Sequence, residues 1–171
     1  VNGDPARNFA HDWDSVPEEV WARTQLLYVC SPDNPTGRVV TGDEWRRLFA
    51  LADRHGFVIA ADECYAEVYF DEDRPPLSAL AAARADGRDD YRRLPLSLRK
   101  TNLARLLARC SDGIHAAPFE QGEIGPDLFR HACQIGLEGL VSKHSQHAYG
   151  AGRCNHWLKS KNPNHPAYRR V

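Results

Sequence analysis

Gln25-Leu26-Leu27-Tyr28-Val29-Cys30-Ser31-Pro32-Asp33-Asn34-Pro35-Thr36-Gly37 is the stretch on which the fold turns. Its first half is a short apolar run and its second half holds two prolines and a glycine, so it reads as a buried strand running into a loop. Working outward, Thr41 is placed to cap a helix over about residues 43–55, with Trp45, Leu48, Phe49 and Ala52 on one face and Gly56 closing it. Phe57-Val58-Ile59-Ala60-Ala61 follows as a second buried strand.

Strand, helix and strand joined by tight turns make a βαβ unit, which implies an α/β fold with parallel strands. Ligands of such sheets sit beyond the carboxyl ends of the strands, and Asn34 and Asp62 both fall at such ends. Neighbouring parallel strands would bring the two to one rim.

The residues at that rim form a recognisable pair of motifs. Ser31-Pro32-Asp33-Asn34-Pro35-Thr36-Gly37 followed by Ala61-Asp62-Glu63-Cys64-Tyr65 resembles the large-domain core of class I/II aminotransferases of pyridoxal-phosphate fold type I. Residues 62–80, including Tyr65-Ala66-Glu67-Val68-Tyr69-Phe70, are most similar to succinyldiaminopimelate aminotransferases. The resemblance implies pyridoxal 5'-phosphate as cofactor and a small amino acid or keto acid as substrate. It puts Asp62 beside the ring nitrogen, where a carboxylate keeps that nitrogen protonated and the ring a good electron sink. It gives Asn34 and Tyr65 hydrogen bonds to the ring phenolate oxygen, and it allows a cis Asn34-Pro35 bond.

An aminotransferase also needs a lysine to hold the cofactor covalently and move a proton, and residues 1–94 contain none. The phosphate-binding turn and the substrate-clamping arginine of the family are not matched either. Lys100 is the candidate for the catalytic lysine, standing in Pro95-Leu96-Ser97-Leu98-Arg99-Lys100-Thr101-Asn102. The family has a β-rich run into a Ser-x-Ser-Lys turn at that place. Here Pro95 interrupts, and residues 97–109 read as a helix with Leu98, Leu103, Leu106 and Leu107 as its apolar stripe.

Beyond that helix, Ser111-Asp112-Gly113 reads as a turn, residues 114–117 as a strand, and residues 126–135 as a second helix ending at Gly136. Residues 137–143 and 156–161 are strand candidates. They carry Glu138-Gly139-Leu140-Val141-Ser142-Lys143 and Trp157-Leu158-Lys159-Ser160-Lys161-Asn162, which resemble motifs IV and V of ATP-dependent DNA ligases, over residues 92–171. That resemblance implies ATP with Mg, Lys159 and Lys161 on the nucleotide phosphate, and Glu138 on the nucleotide or metal side. Alternation along the strand puts Trp157, Lys159 and Lys161 on one face, whereas Lys143, five residues from Glu138, requires a bulge or strand end. The ligase nucleophile, a Lys-x-Asp-Gly lysine, has no counterpart here. His144, His147, Cys154 and His156 match no standard zinc spacing, and no metal site is expected from them.

Charge divides the chain at the same place. Residues 1–94 hold eleven arginines, no lysine and eighteen acids, while residues 95–171 hold seven arginines, four lysines and five acids, inside a net charge of −1. An acidic half beside a basic half leaves only the second suited to DNA or nucleotide phosphate. The expected organisation is therefore a partial aminotransferase large domain over 1–94 followed by a partial α+β nucleotidyltransferase, or ligase adenylation, fragment over 95–171. With both nucleophilic lysines missing, this chimera is expected to be catalytically incompetent. Two alternatives stand beside it: a working aminotransferase using Lys100, and a non-catalytic nucleotide or DNA binder using the C-terminal lysines. Five scattered cysteines without a C-x-x-C pair point to a reducing, cytoplasmic setting. No run is apolar enough to span a bilayer and the start lacks a signal-peptide pattern, so no membrane partner is expected. The oligomeric state is left open.

Overall fold

A computed structural model describes residues 3–108, 110 and 113–169. The chain falls into two compact units, Val1–Asp90 and Tyr91–Val171.

In the first unit a two-residue ribbon, β1 (Gly3–Asp4) paired antiparallel with β2 (Ala10–His11), precedes α1 (Glu18–Arg23). The βαβ unit follows as β3 (Leu26–Cys30), α2 (Gly42–His55) and β4 (Val58–Asp62), and α3 (Ala79–Ala85) completes the order. β3 and β4 are parallel, in a register that runs from Leu26 opposite Val58 to Cys30 opposite Asp62. The α/β expectation is met in this unit.

Local chemistry explains why α2 starts and stops where it does. The Thr41 hydroxyl accepts from the Glu44 backbone N–H at 3.3 Å while the Glu44 carboxylate accepts from the Thr41 N–H at 2.9 Å, a complete capping box. Gly56, at φ 77°, ends the helix in a left-handed conformation open to glycine at little cost. Between these ends Trp45, Leu48 and Phe49 are buried, and they pack with Val29, Phe57, Trp13 and Trp21 into one core. Arg88 ties the chain after α3 back to α2, forking onto Asp53 at 2.6 and 3.0 Å with its guanidinium 4.8 Å from the Phe49 ring centroid.

The two strands were expected to be buried, and they are so on one face only. Leu27, Val29 and Ile59 pack towards the core, whereas Leu26 is 43% and Tyr28 65% exposed. The cause is the period of two: α2 covers one side of the sheet, and among the described residues of this unit no element covers the other.

The second unit contains α4 (Leu96–Leu107), α5 (Gly125–Gln134) and an antiparallel pair, β5 (Gly139–Lys143) and β6 (Trp157–Lys161). Three expectations need correction here. Residues 114–117 form no strand. Leu98, Leu103 and Leu106, read as part of the helix's apolar stripe, are about half exposed. The strand expected from residue 137 begins at Gly139, because the N–H groups of Gly136 and Leu137 turn back to the carbonyls of Cys133 and Ala132 and finish α5 instead. Of the turn expected at 111–113, positions 111 and 112 lie outside the described residues. Only Ala132 and Asn162 are buried among the described residues of this unit. Asn162 closes the hairpin, its N–H donating to the Glu138 carbonyl at 2.8 Å and its side-chain amide to the Leu137 carbonyl at 2.9 Å. Among the described residues, no helix is long and apolar enough to cross a membrane.

Candidate functional site

The carboxyl ends of β3 and β4 carry the first constellation. Parallel register places Cys30 beside Asp62, and the chain leaving β3 returns through a turn in which the Thr36 hydroxyl donates to the Asp33 carboxylate at 2.7 Å and the Gly37 N–H to the Asp33 carbonyl at 2.7 Å. Ser31-Pro32 and Asn34-Pro35 are both cis. The Asn34 amide donates to the Tyr65 hydroxyl at 3.1 Å, so two residues from different loops converge on one point. Each keeps a donor for a further acceptor: the second amide hydrogen of Asn34 and the phenol hydrogen of Tyr65.

A cavity of about 740 Å³ opens beside this pair, lined by residues 32–39 on one side and 65–77 on the other. Arg74 is the only cation among its lining residues, which also include Asp33 and Asp71. Asp62 is not part of that wall. Its carboxylate accepts from the Cys64 N–H at 3.2 Å and from the Tyr28 hydroxyl at 3.4 Å. The Asp62 charge, helped by some loss of hydration and by the hydrogen bond, raises the Tyr28 phenol above its ordinary range. Some loss of hydration, then the neighbouring Asp62 carboxylate, raises the pKa of the exposed Cys64 thiol.

Tyr28 carries none of the motif and was missed from sequence. The signal that finds it is register: Tyr28 pairs with Ala60, one step along the same sheet face from the Cys30 and Asp62 pair. Lys100 lies in the second unit, on α4, with its ammonium 3.5 Å from the Phe119 ring centroid, a cation–π contact.

The hairpin of the second unit carries the other predicted residues. Its register pairs Gly139 with Lys161, Val141 with Lys159 and Lys143 with Trp157, so Lys143, Lys159 and Lys161 share one face. Glu138 precedes the strand, which answers the alternation conflict with Lys143: a strand end, not a bulge, separates them. The Glu138 carboxylate takes the Lys159 ammonium at 3.1 Å, and that bond and charge lower its pKa. Lys143 lies over the Trp157 ring at 4.3 Å. Gly139 is required where it stands, since a Cβ there would lie 2.1 Å from the Ser160 carbonyl oxygen.

Residues 1–91, a little over half of the chain, match the family model "Aminotransferase class I and II", and the chain belongs to that family. Similar proteins include the LL-diaminopimelate aminotransferase of Maridesulfovibrio salexigens, 38% identical over 73 residues, which are 43% of this chain and 19% of that protein. An aminotransferase structure from Neisseria meningitidis is 52% identical over 48% of this chain and 21% of its own, with a TM-score of 0.46. A probable N-succinyldiaminopimelate aminotransferase from Thermus thermophilus is 30% identical over 43% of this chain and 20% of its own, with a TM-score of 0.40. The chain thus spans about a fifth of the length of the relatives that it matches.

Proposed function

We propose that the first unit is the ring-binding part of an aminotransferase-type pyridoxal 5'-phosphate site. The observation that carries this reading is the Asn34–Tyr65 hydrogen bond at 3.1 Å beside the cavity, with Asp62 at the end of the neighbouring parallel strand. The donor set suits the ring: a carboxylate for a protonated ring nitrogen, and an amide and a phenol for a phenolate oxygen. When bound, pyridoxal phosphate supplies an electron sink for an amino acid substrate. The protein's part is to bind and orient. Asn34 and Tyr65 hold the phenolate edge, and Asp62 keeps a proton at the ring nitrogen. The similarity to diaminopimelate-type aminotransferases favours an amino dicarboxylate, exchanged with its keto acid, as substrate.

With no lysine in residues 1–94, the cofactor is held reversibly and transamination is not completed by this part of the chain alone. Equilibrium dialysis of pyridoxal phosphate tests this. Asp62→Ala should weaken binding by about 10- to 100-fold, the effect of losing a hydrogen bond to a charged group, and Lys100→Ala should leave it unchanged. Loss of binding, or of a reductively trapped adduct, in Lys100→Ala would instead establish the working-lysine alternative.

A second reading concerns residues 91–171. Lys143, Lys159 and Lys161 on one hairpin face, beside Trp157, suit the phosphates of a nucleotide or of DNA, in keeping with the ligase-like motifs and with a chain joined from two parental fragments. Glu138, which the ligase-like motif would put on the nucleotide or metal side, is engaged by Lys159. Binding to a DNA duplex should weaken with salt along a log–log slope of about −2 to −3, and Lys161→Ala should make the slope shallower by about one. A flat salt response would end this reading.

A further inference from the structure

Residues 144–156 connect β5 to β6 and carry three imidazoles outside both constellations. The His147 and His156 rings stack with centroids 3.4 Å apart and planes 12° apart, and His144 meets His147 edge-on at 4.4 Å. The same loop holds the start of α4. The Leu96 N–H donates to the His147 carbonyl at 3.1 Å, the Ser97 N–H to the Ser145 carbonyl at 3.0 Å, and the Tyr149 N–H to the Arg92 carbonyl at 2.8 Å. Pro95, at the N-cap of α4, makes no side-chain cap, so loop carbonyls satisfy donors that a Ser or Asp side chain satisfies elsewhere.

Several features of this stack work against its protonation. Two imidazolium rings cannot stay face to face at 3.4 Å, and the first turn of α4 presents the positive end of its dipole to the loop. The His144 Nδ1 accepts from the Gln146 N–H at 3.2 Å, a bond lost when that nitrogen takes a proton. The flanking elements carry cations: Lys143, next to His144 in sequence and over Trp157, and Arg99 on α4, whose guanidinium lies 5.8 Å from the Tyr149 ring centroid. Cys154 is a free thiol in the same loop.

We propose that His144, His147 and His156 form an acid-operated latch, in which proton uptake unstacks the rings and releases residues 144–149 from the first turn of α4. Loss of hydration, then His156 and His144, hold His147 below its ordinary value of 6.5. A base with a lowered folded-state pKa binds its proton better once the latch has opened. The latch is therefore fully closed above pH 6.5 and loosens as pH falls below that value through the folded one.

Amide hydrogen exchange on the full chain, with a chelator present, tests the latch between about pH 7.5 and 5.5. After correction for intrinsic rates, protection at Leu96 and Ser97 should fall by up to about tenfold per pH unit for each proton taken up, while protection in α2 stays constant. His147→Phe keeps a ring in the stack and removes its proton, so its protection should depend less on pH. Protection in the wild type that is flat with pH, or an equal fall in His147→Phe, would overturn the proposal. Should that variant not fold, the Cε1–H titration of His147 in the wild type decides: a midpoint below 6.5 supports the latch and one at or above it refutes it.

Discussion

The half-buried Asp62 is the residue on which the rim depends. Its carboxylate is shared between the Tyr28 phenol and the Cys64 N–H, while Asn34 donates to Tyr65 beside the cavity and each keeps one donor to spare. The first arrangement gives a prediction with a sign. The Asp62 charge raises the Tyr28 phenol, so Asp62→Asn should bring the Tyr28 midpoint back down towards 10.0 in an ultraviolet titration; a midpoint that does not move would mean that the two groups do not interact in solution. Asn34, Asp62 and Tyr65 were legible because a tight turn and a strand end mark them locally. Tyr28 was not, because its relation to Asp62 exists only through the pairing of two strands.

At the scale of elements, α2 is the one whose energetics are most completely visible. Burial pushes Glu44 up, but its bonds from the Thr41 backbone and hydroxyl, with the Arg38 guanidinium at 2.6 Å, hold it below the usual carboxylate range overall. That contribution is present above pH 4.5 and is lost as pH falls through the folded value. Thr41→Ala should cost about 1 kcal/mol in denaturant unfolding, the usual worth of an N-cap. Asp53 is likewise held low by the Arg88 hydrogen bonds, but the pair is largely solvent-exposed, so Arg88→Ala should cost only about 1 kcal/mol, part of it the contact with Phe49. The helix was readable end to end, since cap, apolar spacing and terminal glycine are all local. β5 was not, because whether Gly136 and Leu137 belong to a strand or to the end of α5 is decided by which carbonyls their N–H groups reach. Gly139→Ala should separate the hairpin, since the new methyl meets the Ser160 carbonyl; weakened protection across β5 and β6 would show it.

At the scale of the whole molecule the two units differ in how much they bury. The first has a core of three tryptophans, two phenylalanines and aliphatic side chains, in which Trp45 and Leu48 are wholly buried. Trp45→Ala should therefore remove about 3–5 kcal/mol, enough to abolish a cooperative melt of residues 1–90. Among its described residues the second unit buries only Ala132 and Asn162, so its amides should exchange faster than those of α2 and β3 under the same conditions. What the sequence by itself determined was local and periodic: the βαβ order, α2 with its cap, the family motifs at the rim and the charge division. Only the tertiary structure decided which sheet face is covered, that Tyr28 reaches Asp62, that three lysines share a hairpin face, and that three histidines meet in the loop whose carbonyls cap α4. Those facts depend on register and on chain segments far apart in sequence meeting in space, which spacing along one strand or helix does not specify.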